Sequence, residues 1–332
     1  MILMRKILVL NQNYIGDVIF TLPAIKALKK GYPTASIDVV VGGSAIEVLK
    51  MNPWIDSTFL RPKGAKEKRE LLRQIRARNY DICLSFSSKS LELALFSFLS
   101  GCKRRFGFFN PATFLFYNYR IKENLEDHCV WDYLKLSIAA GGRKSTIIPE
   151  LVLSDEEMKS AEEFLISIKR KADSPTFGIL LGGSTLFKRW HSPTLNELLN
   201  ILKKKGDVLL FGGKEFKGLG ETFEQENIHN LAGHLSLRES IALLKFCTVF
   251  IGQDSGLTHI SASLGVPTLS IYTATDPKRT APLGEKVRVL YKPISCSPCW
   301  GKRKCKELMC LKTISAKEII GEIEKLMREE NG

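Results

Sequence analysis

Ile251-Gly-Gln-Asp-Ser-Gly-Leu-Thr-His259 is the stretch that decides the fold. It continues Thr248-Val-Phe-Ile251, an apolar run of the kind that reads as a parallel strand buried on both faces. Leu257 to Leu264, which follows, has the small and apolar periodicity of a helix. A strand that breaks at Gly252 and re-enters a helix through Asp-Ser-Gly leaves the first-turn N–H groups without intrahelical partners. Those donors and the helix dipole favour an anion. Ser255 is expected to cap the helix, and Gly256 to let a ligand approach the backbone closely. An ordinary capped helix start is the plain alternative, and the other glycine turns of the chain weigh against it.

The same grammar runs through both halves. In the first, Lys6 to Leu10 reads as a strand, Asn11 to Asp17 as a glycine turn, and Asp17 to Lys30 as a helix with Pro23 in its early turns. Ile37 to Val41 is a strand ending in Gly42-Gly43. Lys63 to Arg78 holds an amphipathic helix with a basic outer face, Ile82 to Phe86 a strand, and Leu91 to Leu99 an apolar helix. In the second half, Ser154-x-x-Glu157 opens a helix to about Arg170 through a capping box, and Ala172 to Pro175 breaks the pattern. Phe177 to Leu181 is a strand ending in Gly182-Gly-Ser-Thr185, and Ser192 caps a helix to Lys205. Val208 to Phe211 ends in Gly212-Gly213, Leu237 to Phe246 is a helix, and Thr268 to Tyr272 a strand. Alternating strands and helices imply doubly wound α/β domains, with ligands at the carboxyl ends of the strands. No G-x-G-x-x-G follows the first strand and no Walker A sequence occurs, which argues against a typical dinucleotide enzyme or P-loop NTPase.

At 332 residues the chain fits two domains. No apolar run is long enough to span a membrane, and the apolar N-terminus reads as a first strand, not a signal peptide, so a cytoplasmic location is expected. The formal net charge is +14, and two segments, Arg61 to Arg105 and Asp276 to Lys306, hold all of the excess. Such concentration points to a polyanionic partner: nucleic acid, anionic lipid, or a phosphorylated or carboxylated substrate. Solvated helix faces account for part of it. Cys83, Cys102, Cys129 and Cys247 read as small core residues, whereas Cys296, Cys299, Cys305 and Cys310 form a cluster. Its spacing is an imperfect match to structural zinc, and a disulfide pair or reduced thiols are equally open.

Four further positions carry chemistry. Asp17, directly after Gly16, is a carboxylate at a helix N-terminus, where a plain helix cap is the commoner fate. Lys188-Arg189-Trp190 follows the Gly182-Gly183-Ser184 turn at a distance that puts a cation beside a phosphate; the alternative is a surface basic pair. Glu215, after Gly212-Gly213-Lys214, can accept hydrogen bonds from a ribose or serve as a first-turn acid. His259 orients the turn or touches a ligand.

Taken together, Gly16-Asp17-Val18 with Thr21-Leu-Pro-Ala-Ile25, Gly182-Gly-Ser with Lys188-Arg-Trp190, Gly212-Gly-Lys-Glu215 and Asp254-Ser-Gly-x-x-His259 resemble glycosyltransferase family 9, the bacterial heptosyltransferases. The tail from Cys-x-Pro-Cys299 through Cys310 also recurs there. The chain departs from the family at Asn11, Asn13 and Tyr14 before the Gly-Asp turn, and at His191 where Pro commonly follows the Trp.

The resemblance implies a GT-B fold, two facing Rossmann-like domains with a central cleft: residues 1–170 for the acceptor, 171–314 for the nucleotide sugar, and 315–332 as a helix packing back on the first domain. It implies inverting, metal-independent transfer of heptose from ADP-heptose to the lipopolysaccharide inner core, with no cofactor required. One base suffices because a diphosphate leaves without a general acid. In this reading Asp17 is that base. Lys188 is catalytic, and Gly182, Gly183, Ser184, Lys188, Glu215, Asp254, Ser255, Gly256 and His259 bind the donor. Gly16, Arg61, Lys63, Lys103, Arg104 and Arg105 receive a lipid-linked anionic saccharide, with transient contact at the inner face of the inner membrane. The lack of any Asp-x-Asp agrees with metal independence. The family also has members that use other sugars. Two other readings stay open: a basic nucleic-acid-binding protein with a zinc-like Cys cluster, and a sugar-nucleotide epimerase on the same fold.

Overall fold

A computed structural model of the chain describes residues 5–168, 174–301, 305 and 307–330. It divides between Val152 and Leu153 into two units, each built on one six-stranded parallel sheet. Arg170 and Ala172, and the basic Lys302, Arg303, Lys304 and Lys306, lie outside the described residues.

The first unit runs β1 (Lys6–Leu10), α1 (Ile15–Gly31), β2 (Ser36–Val41), α2 (Ala45–Leu49), β3 (Ser57–Leu60), α3 (Ala65–Ala77), β4 (Ile82–Ser85), α4 (Leu91–Leu99), β5 (Arg104–Phe108), β6 (Tyr119–Ile121) and α5 (Cys129–Ala139). Its strands lie in the order β3-β2-β1-β4-β5-β6. Ile7, Leu8, Val9 and Leu10 are all fully buried, as a central parallel strand covered on both faces requires. One face carries α3 and α4, whose Leu71, Ile75, Leu93 and Phe96 meet Leu8, Leu10, Val40 and Cys83. α1 packs with α5, and right-handed crossovers place α1 on the opposite face.

The second unit runs α6 (Asp155–Ser167), β7 (Thr176–Leu180), α7 (Ser192–Leu202), β8 (Asp207–Phe211), α8 (Lys217–Glu221), β9 (Ile228–Asn230), α9 (Leu237–Leu244), β10 (Val249–Gln253), α10 (Gly256–Ser263), β11 (Thr268–Tyr272), α11 (Pro277–Thr280), β12 (Val287–Tyr291) and α12 (Ala316–Glu330). The order β12-β11-β10-β7-β8-β9 repeats the first unit's winding strand for strand. In both sheets the first and fourth strands of the unit are central neighbours, β1 with β4 and β7 with β10. That is the point where the winding reverses, and where open α/β sheets bind ligands.

Two expected boundaries are corrected. The division falls at Val152, not at residue 170, because Val152 still donates to Met51 O and Asn52 donates to Glu150 O, whereas α6 packs on α9. The Ser154/Glu157 capping box starts α6, and Arg238 Nε holds Glu157 at 2.5 Å from α9. The final helix belongs to the second unit: α12 buries Ala316, Ile319, Ile323 and Leu326 in that unit's core beside α7. Each large aliphatic side chain so buried is worth about 1.5–3 kcal/mol, and Arg288 fastens the helix through Glu322 and Glu329. Its amphipathic face was visible in the sequence, but the partner of that face was not. No helix among the described residues is long and apolar enough to cross a membrane.

Candidate active site

In the first unit the chemistry gathers at the carboxyl ends of β1, β2, β3 and β4. The turn after β1 is fixed on several sides. Asn11 Nδ2 donates to Thr21 Oγ1 at 2.7 Å, and Gln12 Nε2 donates to Phe86 O and to the Tyr133 hydroxyl, both at 3.1 Å. Gly16 and Asp17 are half-buried in the first turn of α1, where the helix dipole stabilises a carboxylate. Arg61, one residue past β3, is nearly buried; its Nη2 donates to Asn13 Oδ1 at 2.6 Å and its Nη1 to Glu92 at 3.1 Å. Lys68 Nζ lies 2.7 Å from the other Glu92 oxygen. Arg61 therefore holds the turn that precedes Asp17. Lys63 is exposed just beyond β3.

Lys103, Arg104 and Arg105 do not belong to this group. Arg104 begins β5 opposite Ile82, at the amino ends of the strands, so these cations sit on the far edge of the sheet. At about 3.3 Å per strand residue that edge is a strand length away from Asp17. Arg105 is also committed locally, donating to Phe116 O and Cys102 O. The expectation that they join Arg61 at the acceptor is corrected.

In the second unit the glycine turn after β7 folds back on itself. Gly183 N–H donates to Lys188 O at 2.7 Å and Gly182 bridges Arg189, so the hairpin presents Lys188 at the sheet's carboxyl edge. Gly182 has no room for a side chain, since a Cβ there would lie 2.8 Å from the Phe216 ring; one on Gly212 would lie 2.9 Å from Phe216 Cβ. Phe216, missed in the sequence, is the buried wedge that locks the turns after β7 and β8 together. Ser184 is exposed at the hairpin tip. Glu215 is exposed with its carboxylate over Gly213.

Lys188 crosses the winding-reversal point: its Nζ is 3.0 Å from Asp254 Oδ2, directly after β10. The other Asp254 oxygen meets His259 Nε2 at 3.1 Å and the Tyr272 hydroxyl at 3.4 Å. Burial alone would raise the Asp254 pKa, but hydrogen bonding and charge from His259, joined by Lys188, outweigh it and hold the carboxyl well below the usual range. Asp254 and His259 are only 6% and 2% exposed where they join Lys188 to the start of α10. Ser255 and Gly256 remain at that helix start, half-buried. Ser255 has extended backbone and makes no side-chain cap; Thr258 Oγ1 instead donates to Gln253 O at 2.7 Å. Ser192 likewise is the first residue of α7 and not its cap, a position held by His191.

The second cysteine group borders this site. Ser297 Oγ donates to Thr273 O at 3.1 Å, and Trp300 N–H to Ala274 O at 2.8 Å, which holds the Cys296–Gly301 segment over the turn after β11. All eight cysteines are free thiols. Among the described residues no group of three or more His, Cys, Asp or Glu could hold a metal ion.

The first unit thus offers a half-buried carboxylate at a helix start, and the second a fixed cation beside one. The family model for glycosyltransferase family 9 (heptosyltransferase) matches residues 68–309. Lipopolysaccharide heptosyltransferase 2 of Escherichia coli K12 is 27% identical over 312 residues, covering 86% of this chain and 87% of that one. Lipooligosaccharide heptosyltransferase 2 of Haemophilus influenzae is 28% identical over 305 residues, covering 86% and 88%. The structure of E. coli ADP-heptose lipopolysaccharide heptosyltransferase II superposes with a TM-score of 0.82 at 24% identity, covering 98% and 100%. A glycosyl transferase family 9 structure from Veillonella parvula gives 0.87 at 21% identity, covering 99% of each chain. The architecture is thus GT-B. With a family model matched over most of its length, this chain is a member of glycosyltransferase family 9, and a glycosyltransferase.

Proposed function

We propose that the protein transfers heptose from ADP-heptose to a hydroxyl of the lipopolysaccharide inner core, with inversion and without a metal. Asp17 accepts the proton of the acceptor hydroxyl as its oxygen bonds to the anomeric carbon. The bond from that carbon to the diphosphate breaks, and ADP leaves with the electron pair. Lys188 and the first N–H groups of α10 hold the charge that develops on the diphosphate. A lysine ammonium has three donors, so Lys188 binds phosphate while Asp254 holds it in place. Glu215 takes the ribose, and Arg61 and Lys63 face the anionic acceptor.

The observation that carries this reading is the Lys188–Asp254 pair at the winding reversal of a family 9 chain. Further support comes from the names of its relatives, lipopolysaccharide and lipooligosaccharide heptosyltransferases, and from an E. coli heptosyltransferase of the same fold solved with ADP. The test is to supply ADP-heptose, with UDP- and GDP-sugars in parallel, to heptose-deficient lipopolysaccharide, and to weigh the product. Acceptor-dependent ADP release and a heptose mass increment, unaffected by EDTA, are expected. Turnover of a UDP- or GDP-sugar alone overturns the donor assignment. Donor turnover without acceptor, as in an epimerase, overturns the transfer.

A further inference from the structure

One helix of the first unit keeps an apolar face in water. α4 buries Leu93 and Phe96 against the sheet, while Leu91, Leu95, Phe98 and Leu99 are 55%, 43%, 50% and 37% exposed. They fall at i, i+4, i+7 and i+8, one continuous stripe along the helix. Leu115, 75% exposed, extends the stripe: it lies in the single 3-10 turn Phe114–Phe116, whose Phe116 packs edge-on against Phe98 at 6.0 Å. The one charge on the outer face, Glu92, is neutralised by Arg61 and Lys68. Contiguous apolar surface of this kind marks a binding face.

The surroundings name the occupant. α3 lies on the same face of the sheet, in the same core cluster, and its exposed side presents Lys66, Arg69, Arg73 and Arg76. Lys103 is exposed just past the far end of α4, and Arg105 lies over the Phe98 ring at 5.3 Å. An apolar stripe flanked by cations is the composition that enters the boundary between headgroups and acyl chains of an anionic bilayer. A partner protein or a second copy of this chain would have to offset that positive charge as well as cover the stripe.

We propose that α4 and Leu115 form a membrane-docking face, with α3 and Lys103 engaging the phosphates of anionic lipid. This deepens the proposed function, because it rests on the reading of a lipid-linked acceptor. It also gives Lys103 a role at the edge where the structure puts it, away from Asp17.

The test is sedimentation with vesicles of phosphatidylglycerol and phosphatidylethanolamine, against vesicles of phosphatidylcholine alone, without substrate. Leu91→Ser/Leu95→Ser is compared with Ile166→Ser, a still more exposed site on α6 of the second unit. The wild type and Ile166→Ser are expected to bind anionic vesicles, more weakly at high salt, and the double variant to bind at least about tenfold less with an unchanged melting temperature. In Leu95→Trp, fluorescence beyond that of the four native tryptophans should shift to the blue and be quenched by brominated lipid. Equal binding by the double variant, no binding by the wild type, or a wild-type dimer that the double variant disperses overturns the proposal. Transfer to a deacylated, water-soluble acceptor separates the two claims. It should persist in the double variant, and if it fails in the wild type while vesicle binding holds, the heptose-transfer reading falls and the docking face stands.

Discussion

Replacing Asp254 by Asn keeps the shape of the side chain and removes the charge between Lys188 and His259. The carboxylate is 6% exposed and makes its two closest contacts at 3.0 and 3.1 Å. Breaking one side of a fully buried pair costs about 3–5 kcal/mol. Lys188 keeps 24% of its side-chain surface and so recovers some hydration, which lowers the expected loss to about 2–3 kcal/mol. For a unit of this size that is a fall of roughly 5–10 °C in melting temperature. The pH dependence follows from the depressed carboxyl. Its stabilisation is complete above the ordinary Asp value of about 4 and drains away as pH falls toward the folded value. The gap between wild type and variant should therefore hold from neutral pH to about 5 and narrow only below about 4. The assay is thermal melting across that range with and without ADP, for Asp254→Asn, Lys188→Ala and the double variant. Because the residues act as one unit, the double variant should be little worse than Lys188→Ala in either readout. Strictly additive losses, or a gap that closes near pH 6, would refute the reasoning.

Other substitutions probe the supports of the site. Gly182→Ala should cost about 1–3 kcal/mol by forcing a methyl group onto the Phe216 ring, and Gly182→Ala/Phe216→Ala should cost less than the sum of the two in chemical denaturation. Arg61→Ala frees the Asn13 turn, so steady-state kinetics should show kcat falling by about tenfold or more while ADP still raises the melting temperature as in wild type. Ile323→Ala should lower stability by about 2–5 kcal/mol through the second unit, read as lost protection of β10 and β11 in hydrogen exchange with β1 and β2 unchanged.

Much of the fold could be read from residue pattern because its central strands are uninterrupted apolar runs. Lys6–Leu10 and Thr268–Tyr272 form where expected, and the helix at Leu91–Leu99 matches to the residue. The strands that residue pattern does not reveal are short or lie toward the sheet edges: Ser57–Leu60, Arg104–Phe108, Tyr119–Ile121, Ile228–Asn230 and Val287–Tyr291. Runs of three to five residues carry too few repeats to set a clear periodicity. Missing β5 had a direct consequence. As part of the basic segment Arg61 to Arg105, Lys103-Arg104-Arg105 is expected beside Arg61; as a strand start, it belongs to the opposite edge. The local parts of the site, Gly16-Asp17 and Asp254-Ser-Gly, were visible as turn chemistry. The Lys188–Asp254 pair and the Phe216 wedge were not, since each joins residues brought together only by strand order. Strand order also explains why Asp254 and His259 lie buried beside Lys188.

If Asp17 deprotonates the acceptor, transfer from ADP-heptose to heptose-deficient lipopolysaccharide must separate wild type from Asp17→Asn. Loss of a general base predicts a fall of about 10²–10⁴-fold in transfer, with stabilisation by ADP unchanged because the proposed donor residues lie in the second unit. An Asp17→Asn variant that transfers heptose at the wild-type rate would contradict the account.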